Sequence, residues 1–350
     1  MQTGEQKQWR VFATTFIVTI AVLFPTLMIG LFVLDPYGTR RVTLIDPPGV
    51  RAQGTRTEHA SRARDHSFDS VIIGNSRMQA LHPERLTQLT GANFASLTIP
   101  GTRPKEQLTM LDWYLRHREA SPRVILLGTD IFWCYGDKTL KTVNPFPFWL
   151  YEEDTLAYAR GLVRFNALEE GVRRIEYAIG GRDRARPDGY WDYDPIYVAH
   201  GHEEAEKQHL LLQYKPEDVV NLTGQFPALE MLRDMLPRVP SDTLVVFMVP
   251  PTFVSGQPRE GTPEHATEQA CYSALTEIAQ SRPRTIVIDW NGVRPETEDP
   301  AFYFDQIHYK GKLARVLEET LAARINADLE LIPAKLMAKP YRKLRTDMVN

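Results

Sequence analysis

Residues 70–77 read SVIIGNSR, a short β-branched apolar run that stops at a glycine and turns polar. Its length and composition suit a strand buried on both faces, because a half-exposed strand would alternate apolar with polar residues. Four similar runs follow at 92–95 (ANFA), 124–128 (VILLG), 244–249 (LVVFMV) and 285–289 (TIVID). Helical patterns lie between and after them, over 104–118 with Leu108, Leu111, Trp113 and Leu115, and over 312–329 with Leu313, Val316, Leu317, Leu321 and Ile325. Strands alternating with helices predict an α/β domain built on an open parallel sheet, starting near Phe68. The stretch 131–240 breaks the alternation. It carries NPFPFWLY (144–151) and DGYWDYDPIY (188–197) and reads as an insertion forming a cap or substrate-facing subdomain.

Outward from this domain, the 350-residue chain opens with VFATTFIVTIAVLFPTLMIGLFVL at 11–34, a run without charge. As a helix it would rise roughly 36 Å at about 1.5 Å per residue, enough to cross a bilayer's hydrocarbon core. A cleaved signal would have a shorter apolar region and small residues after it, whereas LDPYGTRR (34–41) follows, so the run is read as an uncleaved anchor behind a short cytoplasmic tail, 1–10. Lys7 and Arg10 before the span nearly balance Arg40 and Arg41 after it. The N-terminus is placed inside, which puts the domain outside the cytoplasmic membrane. Residues 35–67, rich in Arg, Pro, Gly and polar groups, read as a linker, and 331–350 as a basic solvated tail.

A formal net charge of -3 argues against nucleic acid as a partner, since neutralising many phosphates needs a broad basic surface. No glycine-rich phosphate loop is present, so no nucleotide cofactor is expected. His200, His202 and His209 lie near Glu203 and Glu206, but not as His-Glu-x-x-His, and read as a solvated helix start rather than a zinc site. Phe132, Trp133, Tyr135, Phe146, Phe148, Trp149 and Tyr151 have faces able to stack on sugars, with packing the expected role of most. Cys134 and Cys271 fit either one disulfide or two buried thiols, and thiols are the preferred reading.

Two segments carry the chemistry. Ser76 follows the first strand, where a helix start is expected to offer free N–H groups to a developing oxyanion. Taken alone it reads as a helix cap, with Gln79 completing a capping box, and the far end of the chain is what shifts the reading. Asp305 and His308, in FDQIHY (304–309) ahead of the last helix, are spaced to share one face of a helical turn. A carboxylate there fixes the imidazole tautomer whose other nitrogen accepts a serine proton.

Together these segments resemble the SGNH (GDSL-like) hydrolase superfamily, which places its nucleophilic serine after the first strand and an Asp-x-x-His before the last helix. The resemblance spans most of 68–326. It implies a flavodoxin-like three-layer sheet with Ser76, His308 and Asp305 as a catalytic triad. With a single anchor and Asp35-Pro36-Tyr37-Gly38 ahead of it, Gly74-Asn75-Ser76-Arg77 looks like the envelope-facing branch, similar to proteins that assist alginate O-acetylation and teichoic acid D-alanylation. Ser76 and Gly101 are then the expected oxyanion donors. The family's third block, Gly-x-Asn-Asp, reads Gly128-Thr129-Asp130-Ile131 here, without the donating Asn. An ionised Asp130 cannot donate, so Asn75 or an N–H near Thr129 is the expected substitute, with Arg77 neutralising charge and Arg77, Asp130 and Thr129 beside substrate.

The function implied is a membrane-anchored serine esterase or O-acyltransferase, acting with acetyl on an extracytoplasmic polysaccharide in a bacterial inner membrane and needing no cofactor or metal. A membrane-bound O-acyltransferase is a potential partner. The alternative is an inactive SGNH-fold envelope protein that binds a glycan or such an acyltransferase.

Overall fold

The computed structural model describes residues 4–42, 54–180 and 186–329. Along the chain run α1 (Gly4–Leu34), α2 (Thr55–Arg62), β1 (Ser70–Gly74), α3 (Pro83–Thr90), β2 (Phe94–Thr98), α4 (Pro104–Arg116), β3 (Val124–Gly128), α5 (Thr155–Gly161), α6 (Phe165–Ala178), α7 (Pro227–Met235), β4 (Leu244–Val249), α8 (Pro263–Gln280), β5 (Thr285–Asp289) and α9 (Gly311–Leu329). Shorter helical turns are named by their residues. The chain divides into two compact units, Met1–Ser61 with Pro147–Asp183 and Arg62–Phe146 with Arg184–Asn350. Of the expected 131–240 insertion, Pro147–Asp183 is grouped with the N-terminal segment and the remainder with the larger unit. The basic tail at 331–350 and part of the expected linker fall outside the described residues.

The larger unit is a flavodoxin-like α/β domain. Five parallel strands lie in the order β2-β1-β3-β4-β5. Side chains alternate between sheet faces. Ile72, Phe94, Val124, Leu126, Leu244, Val246 and Met248 join a core with Leu86 of α3 and Leu313, Leu317, Leu321 and Ile325 of α9. Helices α4, α7 and α8 pack together in a second layer, where α4 meets β1 and α8 meets β5. Because β1, β3 and β4 are covered on both sides, every residue in them is buried, which is why their sequences are continuously apolar.

Strand β2 lies at Phe94–Thr98 rather than 92–95. Asn93 is held outside it by its N–H, which donates to Asp69 Oδ1 at 2.7 Å. The polar half of the strand is buried because its groups satisfy one another: Ser96 Oγ lies 2.9 Å from Thr98 Oγ1, and the Ser96 N–H donates to the Asp188 carbonyl at 2.7 Å. Cys134 and Cys271 form a disulfide, correcting the thiol reading. The turn Ile131–Cys134 packs against α8 and brings the two Cα atoms to 5.5 Å, a proximity that a separation of 137 positions conceals.

The smaller unit holds α1, 31 residues that include an 18-residue window with a mean hydropathy of 2.6, long and apolar enough to cross a membrane. In the segment expected as linker, residues 35–40 are tied together by one side chain and α2 occupies Thr55–Arg62. Buried Asp35 accepts the Thr39 hydroxyl at 2.8 Å and the Tyr158 hydroxyl at 2.7 Å through Oδ1, and the Arg40 N–H at 2.7 Å through Oδ2. One carboxylate thereby turns the chain sharply off the end of α1.

Candidate active site

Strand β1 ends at Gly74 between β2 and β3, where the strand order reverses and a parallel α/β sheet opens its crevice. A Cβ on Gly74 would meet Met78 Cγ at 2.4 Å and Met78 Cβ at 2.9 Å, and one on Gly128 would meet Met78 Cγ at 2.4 Å. The two strand ends lack side chains so that Met78 can be driven between them, and this turns the intervening chain outward at Ser76.

No helix begins at Ser76, contrary to the expected terminus and capping box. Turns run on to Ala80 and α3 starts only at Pro83. Asn75 Oδ1 accepts the Arg77 N–H at 3.0 Å, and the Met78 N–H donates to the Asn75 carbonyl at 3.0 Å. Arg77 is drawn into the fold, its Nη2 donating to the carbonyls of Pro250 and Pro251 at 2.9 and 3.1 Å and to Thr252 Oγ1 at 2.5 Å. It ties the serine turn to the end of β4, is buried, and is not among the residues that line the cleft over Ser76.

Ser76 Oγ lies 2.9 Å from His308 Nε2. His308 Nδ1 lies 2.8 Å from Asp305 Oδ2 and 3.0 Å from Oδ1. The 303–309 segment is a tight loop and not the helical turn anticipated: Tyr303 and Tyr309 form an antiparallel bridge, and the Phe304 N–H donates to the His308 carbonyl at 2.9 Å. Asp305 Oδ1 also accepts the N–H groups of Ile307 and His308 at 2.9 and 2.8 Å, so one carboxylate shapes the loop and orients the ring. Burial pushes the Asp305 carboxyl up. The hydrogen bond and charge of His308, with the two N–H groups, outweigh that effect and hold it below its ordinary value. With Nδ1 donating to the carboxylate, Nε2 is left to accept the serine proton.

The other expected site residues separate. Thr129 is buried and its N–H donates to the Met248 carbonyl at 2.8 Å, extending the β3–β4 ladder and leaving no donor for an oxyanion. Asn75 Nδ2 is engaged by Asp130 Oδ2 at 2.6 Å and by the Thr102 carbonyl at 3.5 Å, so it too is committed. Asp130 is buried, and its Oδ1 accepts the Phe132 N–H at 3.1 Å, capping the turn Ile131–Cys134. Burial pushes its carboxyl up, against the charge of Arg77 and the Asn75 amide, which pull it down. It holds the serine turn in place and does not line the cleft. Gly101 is exposed in the turn after β2 at φ 68°, a left-handed conformation that glycine adopts without strain. Among the described residues, the Ser76 and Gly101 N–H groups donate to no protein acceptor.

The cleft over Ser76 and His308 is lined by Gln79, Tyr190, Asp192, Tyr193, Asp194 and Tyr197, none of them singled out from the sequence as site residues. The signal was present in the repeating tyrosines and acids of 188–197, but nothing local says which wall that segment forms. Asp194 Oδ2 accepts the N–H of Gly311, the first residue of α9, at 2.9 Å, pinning the segment three positions beyond His308. Tyr197 stacks on Phe304 with centroids 4.7 Å apart, and its ring lies 5.3 Å from that of His308. Burial, then the Asp305 charge, keeps its hydroxyl protonated well above the usual tyrosine range. His200 Nδ1 pairs with the Ile196 carbonyl at 2.7 Å, and no group of three potential metal ligands occurs among the described residues.

No family model and no curated protein matches the chain. Among solved structures it is similar to a gut microbial diltiazem-metabolizing enzyme, with a TM-score of 0.36 and 13% identity over 74% of this chain and 46% of that one. It is also similar to a carbohydrate esterase family 2 enzyme with a carbohydrate-binding domain from Corynascus thermopiles (Myceliophthora fergusii), with a TM-score of 0.34 and 14% identity over 75% and 66% of the two chains. The chain thus spans about half the length of the first and about two thirds of the second.

Proposed function

We propose that the chain is a membrane-anchored serine acyl-ester hydrolase or O-acyltransferase of the SGNH type, acting on a glycan outside the cytoplasmic membrane. The observation that carries this reading is the continuous relay from Ser76 Oγ through His308 to Asp305, with contacts of 2.9 and 2.8 Å. A serine hydroxyl is a weak nucleophile until a positioned base takes its proton. Ser76 Oγ attacks the ester carbonyl as Nε2 of His308 accepts the proton, and Asp305 stabilises the imidazolium. The Ser76 and Gly101 N–H groups are the donors left for the oxyanion. The tetrahedral adduct expels the alcohol, protonated by His308, and leaves an acyl-enzyme. Water or a sugar hydroxyl, deprotonated by His308, then takes the acyl group and frees Ser76.

The cleft wall favours a polyhydroxylated substrate. Tyrosine rings offer faces for stacking, Asp192, Asp194 and Gln79 offer partners for hydroxyls, and among the described residues no Lys or Arg lines it. That charge pattern suits a neutral or amino sugar better than a uronate or phosphate polymer. The span of α1 and the disulfide both support an extracytoplasmic domain.

A second reading, an inactive member of this fold that binds a glycan or a membrane-bound acyltransferase, is favoured by the loss of the third-block Asn and the commitment of Asn75 to Asp130. Hydrolysis of p-nitrophenyl acetate by the full-length protein in detergent separates the two. The esterase reading expects turnover that disappears in Ser76→Ala. Equal rates in a folded wild type and Ser76→Ala favour the binding role.

A further inference from the structure

Helix α6 is built inside out. Its buried face carries Ala167, Glu170, Gly171 and Arg174, with Glu170 2% and Arg174 3% exposed. Its apolar stripe points to solvent, with Phe165 73%, Val172 57% and Ile175 52% exposed, followed just past the helix by Ile179 at 81%. These positions, with half-buried Leu168, follow the i, i+3, i+4, i+7 spacing of one helix face. A water-facing helix buries its apolar stripe, and exposed apolar surface of this extent marks an interaction site.

The place of α6 beside α1 names the partner. A Cβ on Gly171 would lie 3.0 Å from Leu31 and 3.4 Å from Leu34, and Arg174 Nε donates to the Leu34 carbonyl at 2.9 Å. Glycine thus lets α6 press against the last turn of α1, whose apolar span is itself almost wholly unburied. Leu156 of α5 and Val163, between α5 and α6, are exposed as well. The exposed surface of α1 therefore continues onto α6 at the level where a spanning helix leaves the hydrocarbon. Polar positions Asn166, Glu169, Arg173 and Glu176 occupy a third face of α6, between the apolar stripe and the buried side.

We infer that α6 is an interfacial membrane helix, its Phe165–Ile179 stripe seated in the outer edge of the bilayer beside the exit of α1. The inference rests on α1 crossing the bilayer. A helix of this kind lies in the plane of the interface, with its apolar face roughly 5–10 Å into the headgroup and acyl boundary. The anchor and α6 then grip the membrane as one unit at two points, which limits tilting about a single span.

The test uses the full-length protein in phosphatidylcholine vesicles, with an environment-sensitive fluorophore on single introduced cysteines. Val172→Cys, Ile175→Cys and Ile179→Cys report the stripe, Asn166→Cys and Glu176→Cys the polar face, and Ile29→Cys the anchor. All are exposed positions, so labelling leaves the packing intact. The expected result is blue-shifted emission and quenching by brominated lipid at 172, 175 and 179, loss of both effects at 166 and 176, and strong quenching at 29. Quenching at 29 with none along the stripe overturns the inference while leaving the anchor in place. Absence of quenching at 29 sinks the spanning reading itself. Labels at 172 and 175 that are shielded from aqueous iodide yet untouched by brominated lipid mean that protein, a second copy or a partner, covers the stripe, and this also overturns it.

Discussion

The two halves of the site are held by opposite means. The serine turn is fixed from many directions: Met78 wedged between Gly74 and Gly128, Arg77 bonded to three groups after β4, and Asn75 engaged by Asp130. In the histidine loop, closed by the Tyr303–Tyr309 bridge, one side chain does two tasks: Asp305 both caps the loop and orients the ring. The nucleophile is thus positioned by packing and the base by a single carboxylate. A change at Asp305 should strike activity first, and a change behind Ser76 should strike stability first.

The largest effect is expected at Asp305. In Asp305→Asn the amide keeps an oxygen for the loop N–H groups but cannot stabilise the imidazolium, and such a change lowers kcat by about 10⁴-fold. Ester hydrolysis measured beside thermal unfolding should show lost turnover with little loss of stability. An equal loss of both would erase the contrast. Next in size is the disulfide behind the serine turn. Replacing Cys134 and Cys271 by Ser should lower unfolding free energy by about 2–5 kcal/mol in denaturant titration. Third, Gly74→Ala and Gly128→Ala each force a methyl onto Met78 Cγ and should cost about 1–3 kcal/mol, read by denaturant titration.

The sheet was legible because β1, β3 and β4 are continuous apolar runs, a pattern that burial on two faces requires, and because the partly buried edge strand β5 keeps a β-branched centre. Strand β2 was displaced because Ser96 and Thr98 are buried while hydrogen-bonded to each other and to Asp188, and local polarity does not reveal such pairing. Ser76, Asp305 and His308 stood out as residue types at telling positions, and the fold brings their side chains together. Their surroundings did not show: the Asx turn at Asn75 that replaces a helix, the inward swing of Arg77, and the wall formed by 188–197 all depend on partners 50 to 175 positions away. Linear patterning reports what a residue buries, whereas these features depend on what it meets.

The smallest effect is the acid dependence of the histidine loop. Since the Asp305 carboxyl is held below its ordinary value of 3.8, its ionised form favours the folded state, and the contribution is present above that pH and fades as pH falls through the lower folded value. Wild type and Asp305→Asn should therefore differ in stability by a constant amount near neutrality and converge below pH 3.8. A gap that stays constant to lower pH would mean that the carboxylate does not hold the loop.

The most direct measurement is covalent labelling of the full-length protein with a fluorophosphonate, read by intact mass and by peptide mapping. One adduct on Ser76, formed rapidly in wild type, slowly in His308→Ala and not at all in Ser76→Ala, is the predicted result. A folded protein that takes up no label, or carries it on another residue, would contradict the account.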